Sequence, residues 1–430
     1  MIQNVFVLGL DELNLASLRE MSDADRYEFH QLLSREELQE GTESIPGLLN
    51  KARGHLDAFD GTVDAIVGYW DFPITMMVAI LCQERGLPSA SLEAVVKCEH
   101  KYWSRLEQQK VIDELPAFAL LDLTDDNATL PEHLSYPVWI KPIKSASSEG
   151  AHYIENDKQL RAALVIERVE VDRMGGPFND FLAMLDLPPE IAKVGGSACL
   201  VEEKAPGIQV TVEGFSHDGE VVIYGVIDSI RYPGVPSFLR YQYPSQRAPQ
   251  HIQNYMADVS HRVISTLGLE NSTFNIEYFW DQDTGKLKLL EVNPRHSQSH
   301  ARLFAMVDGQ PNHAFMLDLA LGRDPRKLVR RQGPFHLAGT CFLRRFSDGV
   351  VKQIPSAAEI AELEQAIPGT TVHIVVEEGE RLSEGVGEDS FSYVLAEIIL
   401  GARNEAELVR HYDRCVHELQ FEIEDITEGV

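Results

Sequence analysis

Between Thr273 and Asn293 apolar and polar residues alternate with a period of two, interrupted by a single turn. In Thr273-Phe-Asn-Ile-Glu277-Tyr-Phe-Trp280, an extended strand sends Phe274, Ile276, Tyr278 and Trp280 to one side and Asn275 and Glu277 to the other. Asp281-Gln-Asp-Thr-Gly285 has turn chemistry, and Lys286-Leu-Lys-Leu-Leu-Glu291-Val-Asn293 returns as a second strand that aligns Glu291 with Asn293. A hairpin centred near Thr284 sets Glu277 opposite Glu291. Like charges facing each other on neighbouring strands repel. A solvated sheet face tolerates such a pair, and a bound cation relieves it. With oxygen as the only donor type, the cation chemistry is that of magnesium or manganese, not zinc.

Elsewhere the periodicity marks other elements. Residues 4–10 and 63–70 read as short strands, and a helix over 73–85 stops at Gly86. This is an open parallel α/β unit without a Gly-x-Gly-x-x-Gly, so a plain Rossmann-like layer is expected. A helix over 98–116 carries Lys101 and Arg105 at helical spacing, and strands follow near 138–141 and 152–154. The small-residue loop Ser145-Ala-Ser147-Ser-Glu-Gly150 between them either folds over phosphates through its N–H groups or stands as an exposed hairpin. The Pro- and Gly-punctuated stretch 165–196 has a helical middle and no readable role. Strands over 198–203, 209–215 and 220–227, turned at Ala205-Pro-Gly207 and His217-Asp-Gly219, begin a long antiparallel sheet. Helices are expected over 249–267 and 310–322, the second ending before Asp324-Pro325. Residues 331–430 read as an acidic lobe, with strands near 336–345 and 371–376 and helices near 391–400 and 405–419.

At 430 residues and 44% hydrophobic content the chain exceeds one ordinary core and suits about two to four domains. A formal charge of −29 argues against nucleic acid or an anionic membrane as partner, since either needs a basic surface. Cys82, Cys98, Cys199, Cys341 and Cys415 are scattered without a Cys-x-x-Cys pair, so neither a disulfide framework nor structural zinc is expected. The first residues lack a basic n-region, and no apolar run reaches the roughly 20 residues of a membrane span. A soluble, cytoplasmic protein is expected.

Glu291-Val-Asn-Pro-Arg295 resembles the signature that closes the nucleotide site of the ATP-grasp superfamily, and further family motifs stand upstream in order. Lys101, in Cys98-Glu-His-Lys101-Tyr, and Lys141, in Tyr136-Pro-Val-Trp-Ile-Lys141-Pro142, match its two phosphate-contacting lysines. A lysine ending an apolar strand has its stem fixed by the strand walls while its ammonium reaches an anion. Leu200-Val-Glu202-Glu203-Lys204-Ala205 resembles the hinge that lines adenine. Gln209 stands where relatives often carry a ribose-binding glutamate, and it hydrogen-bonds without charge. The resemblance implies an ATP-grasp fold, α/β and α+β in class. A Rossmann-like domain would span 1–97, the ATP-grasp domain 98–330 with a lid over 116–196, and an appended lobe 331–430. It further implies ATP and Mg2+ (or Mn2+) as cofactors. Nucleotide contacts would come from Lys101, Lys141, Ser147, Glu202, Glu203, Lys204, Ala205 and Gln209, and metal ligands would be Glu277, Glu291 and Asn293. Arg231 would lie near the γ-phosphate, and Arg295 would act on the reacting carboxylate, which its rigid fork suits.

The implied activity is that of a carboxylate–amine ligase, L-amino-acid-ligase-like or biotin-carboxylase-like, forming an amide through an acyl phosphate with release of ADP and phosphate. Its partners would be a small carboxylate and an amine, amino acids among them, and by analogy a second copy of the chain. Val351-Lys-Gln-Ile-Pro-Ser-Ala and Ser390-Phe-Ser-Tyr-Val-Leu-Ala-Glu-Ile-Ile-Leu-Gly401 resemble the tail of biotin-carboxylase-like members, so bicarbonate-dependent carboxylation is the alternative. Against it, Gln298 and Ser299 stand where those carboxylases have a valine and a catalytic glutamate. Nucleotide binding without turnover is a third reading, and it does not require Arg295. Beyond Arg295, His296-Ser-Gln-Ser-His300-Ala-Arg302 replaces a glycine-rich turn. His296 and His300, four apart, could bind a metal if helical, although no third ligand is evident; one of them could instead contact substrate or act as a general base, and with Arg240 and Arg302 they point to an anionic partner.

Overall fold

The computed structural model describes residues 2–125, 128–145, 150–384 and 391–426. They fall into two compact units, one of Met1–Tyr224, Gln250–Gln298 and His313–Leu328, the other of Gly225–Pro249, Ser299–Asn312 and Val329–Val430. The C-terminal residues thus share a unit with two earlier stretches of chain, and the strand Glu220–Arg231 leaves the first unit after Tyr224.

In the first unit a parallel three-stranded sheet has Gln3–Leu8 at its centre, flanked by Tyr27–Leu33 and Ala65–Val67. The helix Ile74–Arg85 ends where Gly86 turns left-handed at φ 66, as the apolar run and its glycine predict. Val5, Val7, Val67 and Tyr69 pack against Ala314 and Leu317, so a helix from far along the chain, His313–Ala320, seals this sheet. A four-stranded antiparallel sheet runs Phe118–Leu121, Cys199–Glu203, Val138–Pro142, His152–Ile154. Most of the stretch 165–196 is the second half of the helix Asp157–Leu182, capped by Asn156, whose Leu160, Leu164 and Val171 pack with Val138, Ile140 and Val201. The expected hairpin is present as Ser272–Trp280 and Leu287–Asn293, with Ile208–His217 on its other side. Its apolar face is buried, and the Tyr278 hydroxyl lies 2.8 Å from Ser260 Oγ of the helix Gln250–Leu267.

The second unit is built on antiparallel pairs of Phe238–Tyr243 with Leu337–Arg345, of Leu337–Arg345 with Tyr393–Ala402, and of Tyr393–Ala402 with Thr370–Ile374. Leu363 and Leu408, from the helices Ala357–Ala366 and Glu405–Glu418, join Leu337, Cys341, Ala396 and Ile398 in its core. The expected helix over 391–400 is corrected here to the strand Tyr393–Ala402. It is paired on both edges, and an interior strand reads as a continuous apolar run that periodicity alone does not separate from a buried helix. Among the described residues no helix is long and apolar enough to cross a membrane.

Gly207, at φ +100, joins the strands Cys199–Glu203 and Ile208–His217, and a Cβ there would lie 2.1 Å from the Trp280 carbonyl oxygen. Gly207→Ala should therefore cost about 2 kcal/mol or more of stability. A chemical denaturation midpoint equal to that of the parent would contradict this packing.

Candidate active site

Register defines the polar face of the first unit's sheet. Glu277 pairs with Glu291 on one side and Thr211 on the other, and Asn275 pairs with Asn293 and Glu213. The ladder slips directly after Glu277, a bulge that leaves the Leu290 carbonyl to accept from Arg105 Nη2 at 2.6 Å. Each acidic or amide group has a partner. Gln209 Nε2 donates to Glu277 Oε2 at 2.7 Å, and Asn293 Nδ2 donates to Asn275 Oδ1 at 3.3 Å. Lys101 Nζ lies 2.9 Å from Glu291 Oε1 and donates to the Ser145 carbonyl at 2.9 Å. Gln209 thus stands against one of the facing carboxylates. Burial pushes the Glu291 carboxyl up, but the charges of Lys101, Lys141 and Lys144 outweigh it and hold the group below its ordinary range.

A second cluster adjoins the first. Glu202 is 2% exposed and is held by Arg105 Nε at 2.6 Å and Lys141 Nζ at 2.8 Å. Burial opposes its ionisation, yet the two cations win and bring its pKa to about 2. Lys101, Arg105, Lys141, Glu202 and Glu291 line a cavity of about 10 Å3, room for about one water. The hinge that follows is exposed at Glu203 and Lys204 and half-buried at Ala205. The amides of Glu203 and Lys204 donate to the carbonyls of Ala117 and Pro137, and the Lys204 ammonium lies 5.1 Å from the centre of the Tyr153 ring. Ser147 lies outside the described residues.

Arg295 is gripped by Asp71, with Nε donating to Oδ1 at 2.8 Å and Nη2 to Oδ2 at 2.7 Å. Burial alone would lower its pKa; the charges of Asp71, Glu99 and Glu277 raise it above the ordinary value. His296 is wholly buried, and both ring nitrogens are committed. Asn14 Nδ2 donates to Asp11, so Asn14 Oδ1 accepts from His313 Nε2 at 3.0 Å. His313 Nδ1 then accepts from His296 Nε2 at 2.8 Å, and His296 Nδ1 accepts from the Thr273 hydroxyl at 3.3 Å. Burial lowers the His313 pKa to about 4, which keeps that ring neutral. The expectation of His296 as a substrate contact is corrected by this burial: the ring has no free face. Nor do His296 and His300 share a helix, since His296 precedes the short 3-10 turn Gln298–His300.

Arg231, Arg240, His300 and Arg302 belong to the second unit. There the Arg231 guanidinium lies 5.4 Å from the centre of the Phe238 ring. Arg240 is buried, ion-paired with Glu405 and bonded to Gln242 Oε1 at 3.0 Å. The His300 ring packs edge-on to Tyr241 at 5.1 Å, and Arg302 is half-buried on the helix Ala301–Asp308.

Sequence reasoning missed several members of the site. Lys144, 3% exposed, pairs with Glu99, which also accepts from Thr75 Oγ1 at 2.9 Å. Its place three residues after Lys141 is a local signal. Asp71, His313 and Glu213 have none, because only long-range pairing brings them in. Among the described residues no three His, Cys, Asp or Glu side chains gather as a metal-binding group. A cation site here depends on the Asn293 carboxamide beside two carboxylates, an all-oxygen donor set that fits a hard divalent ion.

Residues 134–301 match the family model described as the ATP-grasp domain, and the chain as a whole has a mixed α/β and α+β fold. The N-terminal section of the carbamoyl phosphate synthase large chain of Methanopyrus kandleri is 21% identical over 235 residues, 54% of this chain and 37% of that protein. The chain therefore spans little more than a third of that curated relative. An L-amino acid ligase from Bacillus licheniformis superposes with a TM-score of 0.73 at 16% identity, over 98% of this chain and 99% of that one. Biotin carboxylase from Campylobacter jejuni superposes with a TM-score of 0.68 at 14% identity, over 99% and 93%. At such identities the likeness is one of fold.

The Glu202 pKa is depressed in the folded protein, so its contribution to stability is fully present above the unfolded value near 4.5 and is lost as pH falls toward about 2. Glu202→Gln, which leaves Arg105 and Lys141 without their counter-charge, should cost about 3–5 kcal/mol at neutral pH. It should also flatten the acid limb of a denaturation series between pH 4.5 and 2. An acid limb identical to that of the parent would contradict the pairing.

Proposed function

We propose that this protein is an ADP-forming carboxylate–amine ligase. The observation that carries the reading is the facing pair Glu277 and Glu291, with Asn293 beside it and Lys101, Lys141 and Arg295 in the same unit. Lys101 and Lys141 now rest on Glu291 and Glu202; a triphosphate offers them stronger anionic partners. Glu277, Glu291 and Asn293 would hold magnesium, which when bound neutralises charge on the β- and γ-phosphates. A substrate carboxylate oxygen attacks the γ-phosphorus, the bond to the β-bridging oxygen breaks, and ADP leaves with that electron pair. The product is an acyl phosphate. An amine nitrogen then adds to the acyl carbon, loses a proton, and expels phosphate to leave an amide. Arg295 supports the carboxylate and the oxyanion that follows. The sheet containing Lys141 and the helix Asp157–Leu182 serve as the lid that keeps water from the acyl phosphate. Amino acids are the first candidates for both substrates, and a cytoplasmic setting suits five unpaired buried cysteines.

The test is product analysis with ATP, magnesium and pooled amino acids. ADP, phosphate and an amide are expected, and Glu291→Gln should lower kcat by about 100-fold or more. Bicarbonate-dependent ATP use would favour carboxylation, tight binding without ADP would favour a non-catalytic role, and AMP with pyrophosphate would contradict the mechanism.

A further inference from the structure

We infer that Asp71 is a positioning residue for Arg295, orienting its guanidinium so that one edge stays open to the substrate carboxylate. This rests on the ligase reading and adds to it a residue 224 positions upstream of the arginine. A guanidinium presents five N–H groups along three edges. Asp71 takes the Nε/Nη2 edge, Oδ1 lying 2.8 Å from Nε and 2.6 Å from Nη2 and Oδ2 2.7 Å from Nη2, while Nη1 makes a long contact of 3.4 Å with the His296 carbonyl. The Nη1/Nη2 end is the edge left for a second two-pronged contact, the geometry in which arginine meets a carboxylate. Because Asp71 offsets the formal charge, the pair does not draw anions indiscriminately; direction is what it supplies.

Asp71 is itself held. It follows the strand Ala65–Val67, and the two residues before it are tied to the end of the neighbouring strand. Tyr69 donates its hydroxyl to Asp11 Oδ2 at 3.2 Å, and Trp70 Nε1 donates to the Gly9 carbonyl at 2.9 Å. On the other side of Arg295, the His296 amide donates to Thr273 Oγ1 at 3.1 Å and the His296 ring is locked to His313. The side chains of Arg295 and Asp71 are 13% and 27% exposed, so the contact is shielded yet reaches solvent. The parallel sheet at the N-terminus thereby contributes to the geometry of the reacting group and does not merely precede the ATP-grasp domain.

The experiment compares parent, D71A, D71N, D71E, R295A and D71A/R295A, reading kcat and the KM values for carboxylate and for ATP. D71A and D71N should lose about 10- to 100-fold in kcat/KM for the carboxylate, the scale of a misaligned reacting group. KM for ATP should stay within about twofold, since uniform nucleotide binding is untouched. D71E should recover part of the loss. The double variant should be no worse than R295A, because Asp71 acts only through the arginine. Additive losses in the double variant, a KM for ATP that rises in step, or a D71A equal to the parent would overturn the assignment. If D71A does not fold, isosteric D71N carries the same comparison. A parent protein without carboxylate-dependent ADP release sinks the ligase reading; an active parent with additive losses sinks only Asp71.

Discussion

Two carboxylates set opposite each other on adjacent strands are the constraint around which the first unit is arranged. At roughly 5 Å and an effective dielectric near 20, two like charges repel by about 3 kcal/mol, a large fraction of a domain's net stability. The chain offsets this locally, with Gln209 donating to Glu277 and Lys101 paired to Glu291. Glu202 repeats the pattern with Arg105 and Lys141. The anions that need cations and the lysines that suit phosphates satisfy each other for now. On the proposed reading, a nucleotide with a divalent ion would exchange one set of partners for another.

That exchange works only if the sheet holds its register. The bulge after Glu277 does so by turning the Leu290 carbonyl to Arg105, which also holds Glu202. One arginine therefore ties the strand Leu287–Asn293 to the strand Cys199–Glu203. From the opposite direction, the hydrogen-bonded chain Asp11, Asn14, His313, His296 and Thr273 ties the start of the helix Glu12–Arg19 to the residue after Arg295. Asn14 donates to Asp11, and that orientation of its amide sets the tautomers of the two rings that follow.

Much of this is legible in the sequence where the information is local. The alternation over 273–293 yields the hairpin and the opposition of Glu277 to Glu291, and Gly86 ends its helix as read. The motif around Lys141 places that lysine on a strand whose side chains alternate between core and site. What is not legible depends on partners distant in sequence. The apolar run 393–402 becomes a strand because two other strands flank it. His296 looks like a reactive histidine until His313 closes over it, and Asp71 carries no motif at all. Burial and register decide these cases, and neither is a property of a short window.

The facing carboxylates are tested most directly by titrating ATP into the protein by calorimetry with and without magnesium. Binding that requires the ion in the parent and loses that requirement in both Glu277→Gln and Glu291→Gln is the expected result. Equal affinity for ATP in the presence and absence of magnesium, in parent and variants alike, would contradict it.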